Sequence, residues 1–138
     1  MLQLYLDPVR KAPEIETVIS QEGVRRVSRL VASVHVDERI SRYIVDLVDA
    51  TRNPGSHGLA AIAPMIEFGA SPRATLALAH VAKGHAFLEG RDFVIPEDVK
   101  EVAPDVLRHR LILTWEAAAD RVTADDILAR VLAAVQVP

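Results

Sequence analysis

At 138 residues the chain has the length of one compact domain. Half of its residues are hydrophobic, 4% are aromatic and 25% are charged, a balance that excludes disorder and predicts an aliphatic core of closely packed elements. A net charge of −3 and a pI near 5.9 give no general attraction to nucleic acid or to anionic membrane. With no cysteine, disulfides, thiolate metal sites and cysteine nucleophiles are ruled out. No apolar run approaches the ~20 residues of a membrane span, and Asp7 falls too early for a signal peptide. The expectation is a cytoplasmic protein with no membrane insertion and no nucleic-acid partner.

In chain order, Leu2, Leu4 and Leu6 alternate with Gln3, Tyr5 and Asp7, a strand period closed by Pro8 and Pro13. No second strand is evident to pair with it, so residues 1–19 read as a segment that belongs to something outside the domain or packs as an extended arm. From Ser20 the helical period takes over. Val24, Val27, Leu30, Val31 and Val34 form one stripe, with Arg25, Arg26 and Arg29 off it. Asp37 is placed to cap a second helix carrying Ile40, Tyr43, Ile44, Leu47 and Val48, which ends near Asn53-Pro54. Arg42 and Asp46, at i and i+4, are expected to pair on its solvent side.

Residues 53–70 hold two prolines and three glycines, the mark of a long loop, with an apolar turn at Leu59–Ile62. A third helix opens with Ser71 as N-cap and Pro72 at its first position, runs to about Glu89 and stops at Gly90. Apolar on several sides, with Leu76, Leu78, Val81, Ala82, Phe87 and Leu88, it is expected to be the central buried helix. Phe93-Val94-Ile95 is a short extended link. Pro96 starts a helix with Glu97 and Asp98 in its first turn, which Pro104 is expected to kink or split. Thr123 caps the last helix, with Asp126 at N3 as a capping-box acid and Ile127, Leu128, Val131, Leu132 and Val135 as its stripe. The fold class is all-α, a bundle of about five helices with a short extended N-terminal segment.

Most candidate chemistry has a plain structural explanation. A phosphate-binding loop needs glycines around a Lys-Ser/Thr pair so that backbone N–H groups wrap the phosphates, and no Gly-Lys pair occurs. Val34-His35-Val36-Asp37-Glu38 imitates an acidic strand end, but its flanks are helical and Asp37 already serves as a cap. His80 and His85 are five apart and diverge on a helix, and the other histidines sit in separate segments, so no metal site is expected. Glu97-Asp98 and Asp125-Asp126 lie at helix starts, where the dipole accounts for them. No catalytic residue is expected in this chain by itself.

Gly69-Ala70-Ser71-Pro72-Arg73 differs from these. Small residues let a ligand approach the backbone, and a helix start with free N–H groups favours an anion. Arg73 opposes the helix dipole, while its guanidinium fork matches phosphate oxygens. Taken alone, an ordinary Ser-Pro helix start with an exposed arginine is the better reading of this run.

The run stands in a series. Tyr43-Ile44-Val45-Asp46-Leu47-Val48-Asp49-Ala50-Thr51-Arg52 precedes it, and Gly90-Arg91-Asp92-Phe93-Val94-Ile95-Pro96-Glu97-Asp98-Val99-Lys100 and Val106-Leu107-Arg108-His109-Arg110-Leu111 follow. In this order and rough spacing the blocks closely resemble the lid domain of MoxR-type AAA+ ATPases, over roughly residues 20–138. The resemblance implies that residues 1–19 lead out of an ATPase core and that the whole protein binds ATP with Mg²⁺, whereas this chain alone neither hydrolyses ATP nor binds it tightly. It implies that Arg73 is the sensor 2 arginine, supported by Gly69, Ala70, Ser71 and Pro72 and directed at ATP in the core of the same subunit. It also implies a ring, usually a hexamer, with chaperone-like remodelling of client proteins that often carry von Willebrand A-type domains. Tyr43, Ile44 and Arg110 are candidates for a nucleotide or subunit interface, with core and solvated-face readings equally open. Two departures stand out: Ile95 replaces the family's capping Thr, implying a looser helix start, and the 53–68 loop is longer and more apolar than the usual connection. The alternative is a free-standing helical adaptor that binds proteins without nucleotide chemistry; a Gly-x4-Gly-Lys-Ser/Thr loop upstream of Met1 would decide against it.

Overall fold

The computed structural model describes residues 16–138. The alternating Leu2–Asp7 segment, and with it most of the expected exit segment, lies outside the described residues. Among those described, the elements run α1 (Gln21–Ser33), α2 (Glu38–Arg52), 3₁₀ turns at Pro54–His57 and Ala60–Met65, β1 (Ile66–Phe68), α3 (Arg73–Leu88) and α4 (Pro96–Leu107). A 3₁₀ turn at Arg108–Arg110, β2 (Ile112–Leu113), α5 (Trp115–Ala119) and α6 (Ala124–Ala134) complete the chain. The fold is mostly helical, as expected.

The core is aliphatic. Leu47, Ile62, Leu78, Val99, Leu107, Ile127, Leu128 and Val131 are fully buried, each such side chain contributing roughly 1.5–3 kcal/mol. Helix α3 is central, packing on α1, α2 and most extensively on α4. Its buried face is Ala74, Leu78, Ala82 and Ala86, spaced by four. The small side chains let α4 approach closely through Val99 and Ala103. The helix is not buried all round, however: Leu76, Val81 and Leu88 are exposed, because neighbours cover only part of its circumference.

Helix α1 has the expected apolar stripe but buries no residue; Val24, Val27 and Leu30 are largely exposed. A hydrogen bond from Lys83 Nζ to the Ala32 carbonyl, 2.9 Å, ties its end to α3. On α2, Asp37 caps as expected, accepting from the Arg39 N–H at 2.9 Å. Arg42 pairs with Glu38 rather than Asp46; both carboxylates lie one turn away, and the one nearer the helix N-terminus takes the guanidinium. Pro104 does not split α4. It sits in the last turn, where the missing N–H removes a ladder bond just before the helix ends. Thr123 and Asp126 form the expected capping box, Asp126 N–H to Thr123 Oγ1 at 3.2 Å and Thr123 N–H to Asp126 Oδ2 at 2.8 Å.

The 53–70 loop is the main departure. It folds into two 3₁₀ turns and then β1, which pairs antiparallel with β2, Ile66 opposite Leu113 and Phe68 opposite Ile112. Three- and two-residue strands offer too little period to read from sequence. The short helix α5 has a recognisable start, Thr114 Oγ1 accepting from the Ala117 N–H, but is likewise too short to carry a stripe. No described helix is long and apolar enough to cross a membrane.

Candidate functional site

The site is assembled where the end of α2 meets the start of α3. Thr51, in the last turn of α2, is completely buried. Its hydroxyl donates to the Val48 carbonyl at 2.7 Å and accepts from the Ala70 N–H at 3.0 Å. Gly69 crosses directly over the Thr51 peptide: a Cβ at Gly69 would lie 2.3 Å from the Thr51 carbonyl oxygen and 2.8 Å from the Arg52 Cα. Gly69 is therefore small because backbone passes against backbone, not because a ligand must approach it. Ala70, next to it, is fully buried.

The helix start itself differs from expectation. Pro72 adopts helical angles, φ −55° and ψ −25°, as a first-position proline should. Ser71 supplies no side-chain cap; its carbonyl accepts from the Ala74 N–H at 2.8 Å, and the Pro72 carbonyl accepts from Thr75 at 3.1 Å. The 3₁₀-like first turn thus takes up the Ala74 and Thr75 N–H groups and leaves the Arg73 N–H without a partner among the described residues. What remains for an anion is Arg73, which is exposed and makes no ion pair or side-chain hydrogen bond among the described residues. A cleft of about 350 Å³, lined by His35, Ile40, Phe93, Pro96 and Pro138 among others, does not include the Gly69–Arg73 run. Arg73 projects from an open surface.

Tyr43 and Ile44 are core residues, 2% and 1% exposed, and packing accounts for both. The Tyr43 hydroxyl is buried without a hydrogen-bond partner; burial, with the charge of Glu97 second, raises its pKa. Arg110 is half-buried and its Nε donates to the Val106 carbonyl at 2.9 Å, capping the end of α4.

A second polar cluster gave no functional signal in the sequence. Asp98, 1% exposed, accepts from both Arg91 guanidinium nitrogens, at 2.6 and 2.5 Å, from the Ile95 N–H at 2.8 Å, and lies 2.8 Å from His85 Nδ1. Burial alone would raise this carboxyl, but the hydrogen bonds from Arg91, the Ile95 backbone and His85 outweigh it and hold the pKa at about 2. The helix start at Ile95 is consequently not loose: Asp98 reaches back to the Ile95 N–H and supplies the bond that a capping hydroxyl would have complemented. Elsewhere His57 Nε2 meets Asp49 Oδ2 at 2.9 Å. No cluster suited to a metal ion occurs among the described residues.

With this geometry in hand, comparison with known proteins identifies the domain. The family model described as the AAA lid domain matches residues 59–131. The chain belongs to the AAA lid family. Its relatives make it a lid of the MoxR type. It is 40% identical over 126 residues to chaperone MoxR1 of Mycobacterium tuberculosis, covering 91% of this chain and 33% of that protein. It is 40% identical over 102 residues to protein MoxR of Paracoccus denitrificans, covering 70% and 30%. A crystal structure of a Cytophaga hutchinsonii protein assigned as an ATPase superposes with a TM-score of 0.89 at 36% identity, over 99% of this chain and 42% of that one. The lid spans about a third of the length of the MoxR relatives it matches. Residues 59–68, which looked like an unusual loop, fall inside the family match.

Proposed function

We propose that this lid serves the ATP site of a MoxR-type AAA+ ATPase, with Arg73 as the sensor 2 arginine. The observation that supports the reading is the state of Arg73 itself. It is an exposed guanidinium without a partner in the described fold, on a helix start whose dipole it opposes, held by a loop that packs backbone on backbone. A cation so placed adds nothing to the domain's stability. It is suited to meeting phosphate oxygens brought by another body, and its fork geometry fits that task.

In this reading ATP and Mg²⁺ are held by the ATPase core, and the lid contributes a charge that steadies the phosphates while they are present and is released after hydrolysis. The residues present fit that half-role: Arg73 offers an exposed guanidinium fork at the helix start. The resemblance to chaperone-named relatives extends the proposal to a ring, hexameric in the usual case, that remodels client proteins, including ones with von Willebrand A-type domains.

The test is Arg73→Ala in the ATPase that carries this lid. Hydrolysis is expected to fall at least tenfold while the lid unfolds at the same denaturant concentration as the parent. Parental turnover in that variant would refute the sensor assignment and favour a lid, or an adaptor, acting through protein contacts alone.

A further inference from the structure

We infer that Thr51 is the positioning residue for Arg73: its side-chain hydroxyl sets the register of the loop that carries the arginine. The inference rests on the reading of Arg73 given above and deepens it.

Thr51 lies in α2, twenty-two positions before Arg73 in sequence, yet the two are linked by a short chain of fixed contacts. The hydroxyl has one proton and two lone pairs. The proton is committed to Val48 O, 2.7 Å, which fixes the side-chain rotamer and aims a lone pair at the Ala70 N–H, 3.0 Å. Ala70 N–H is buried, and no other acceptor is recorded for it. Next to it, Gly69 lies against the Thr51 carbonyl so closely that no side chain fits, which prevents the loop from sliding inward. Beyond Ala70, the Ser71 and Pro72 carbonyls are bound to Ala74 and Thr75, and proline fixes φ. Gly69, Ala70, Ser71 and Pro72, the four residues before Arg73, are thus each held by a contact, a backbone bond or the proline ring.

The bond is also neutral and buried, so salt does not screen it as it would an exposed ion pair. The sequence places Thr51 in the block Val48-Asp49-Ala50-Thr51-Arg52, where a threonine near a helix C-terminus has no capping reason to be there. Its burial and its hydrogen bond to Ala70 supply the reason.

The test uses the ATPase that carries this lid, with Thr51→Val, which keeps the shape and removes the hydroxyl, and Thr51→Ser, which keeps the hydroxyl. Thr51→Val is expected to lower kcat for ATP at least tenfold with KM changed less than threefold, the same pattern as Arg73→Ala, and to accelerate hydrogen exchange at Ala70 at least tenfold. Thr51→Ser is expected to restore both. Thr51→Val combined with Arg73→Ala should be no slower than Arg73→Ala. If Arg73→Ala is impaired but Thr51→Val turns over normally, or if the two losses multiply in the double variant, Thr51 does not act through Arg73. If Arg73→Ala is itself normal, the sensor reading and this inference fall together. Should Thr51→Val not fold, Thr51→Ala, which presses no methyl against the Ala70 amide, carries the same measurements.

Discussion

The starts of α3 and α4 are built in opposite ways. At α4, a proline opens the helix, two carboxylates occupy the first turn where the dipole favours them, and Asp98 is buried with Arg91, His85 and the Ile95 amide around it. At α3, a proline again stands at the opening, but there is no side-chain cap, no acid in the first turn, and a cation instead. The first start lacks a capping side chain at Ile95 but is stabilised by its first-turn acids and by Asp98 reaching back to the Ile95 amide. The second gives up the favourable charge and relies on the Thr51–Gly69–Ala70 junction to hold it. The difference teaches which charge belongs to the fold: Asp98 is spent internally, whereas Arg73 remains available.

That contrast is open to attack at several points. The largest effect is expected from Asp98→Ala, which leaves a half-buried guanidinium and a histidine without their shared acceptor; breaking a buried pair in this way costs about 3–5 kcal/mol. Urea denaturation should show a marked fall in midpoint, and an unchanged midpoint would mean the cluster is not holding α3 to α4. Next is Gly69→Ala, whose Cβ would meet the Thr51 carbonyl at 2.3 Å. Backbone cannot swing aside as a side chain would, so a cost near 3 kcal/mol is expected, at the upper end of ordinary overpacking.

The acid response is expected to be somewhat smaller. The pKa of Asp98 is lowered from 3.8 to about 2 in the fold. A depressed carboxyl stabilises the native state fully above its unfolded pKa, and that contribution is lost as pH falls through about 4 towards 2, for a total of about 2 kcal/mol. Stability measured between pH 5 and 2 should decline with this slope, and Asp98→Asn should flatten it. A parental slope in Asp98→Asn would assign the acid sensitivity to other carboxylates. The smallest effect on stability is predicted for Arg73→Ala, within about 0.5 kcal/mol of the parent, because nothing among the described residues pairs with the charge. A large loss there would erase the contrast between the two helix starts.

The long helices were legible because their stripes repeat. Ile40, Ile44, Leu47 and Val48 in α2 and Ile127, Leu128 and Val131 in α6 were expected inside and are inside, and the Asp37 and Thr123 caps hold as their spacing implied. The short elements were not legible. β1, β2 and α5 are two to five residues long, too short for a pattern of period 2 or 3.6 to repeat, and β1 and β2 exist only because distant segments meet. The all-round apolar composition of α3 misled in a different way: it signals a central helix but does not say which residues a neighbour will cover.

For the candidate site, sequence alone identified the stretch and its odd charge, because a cation after Ser-Pro is visible in one dimension and the surrounding blocks resemble a known lid. It also offered no Gly-Lys pair of the kind that wraps phosphates, which is a matter of composition and spacing. Only the tertiary structure decided why Gly69 and Ala70 are small, that Ser71 does not cap, and that Thr51 reaches the loop. Each of these depends on a contact between segments far apart in sequence, and hydrogen bonds and steric exclusion act over distances in space that a linear pattern does not record.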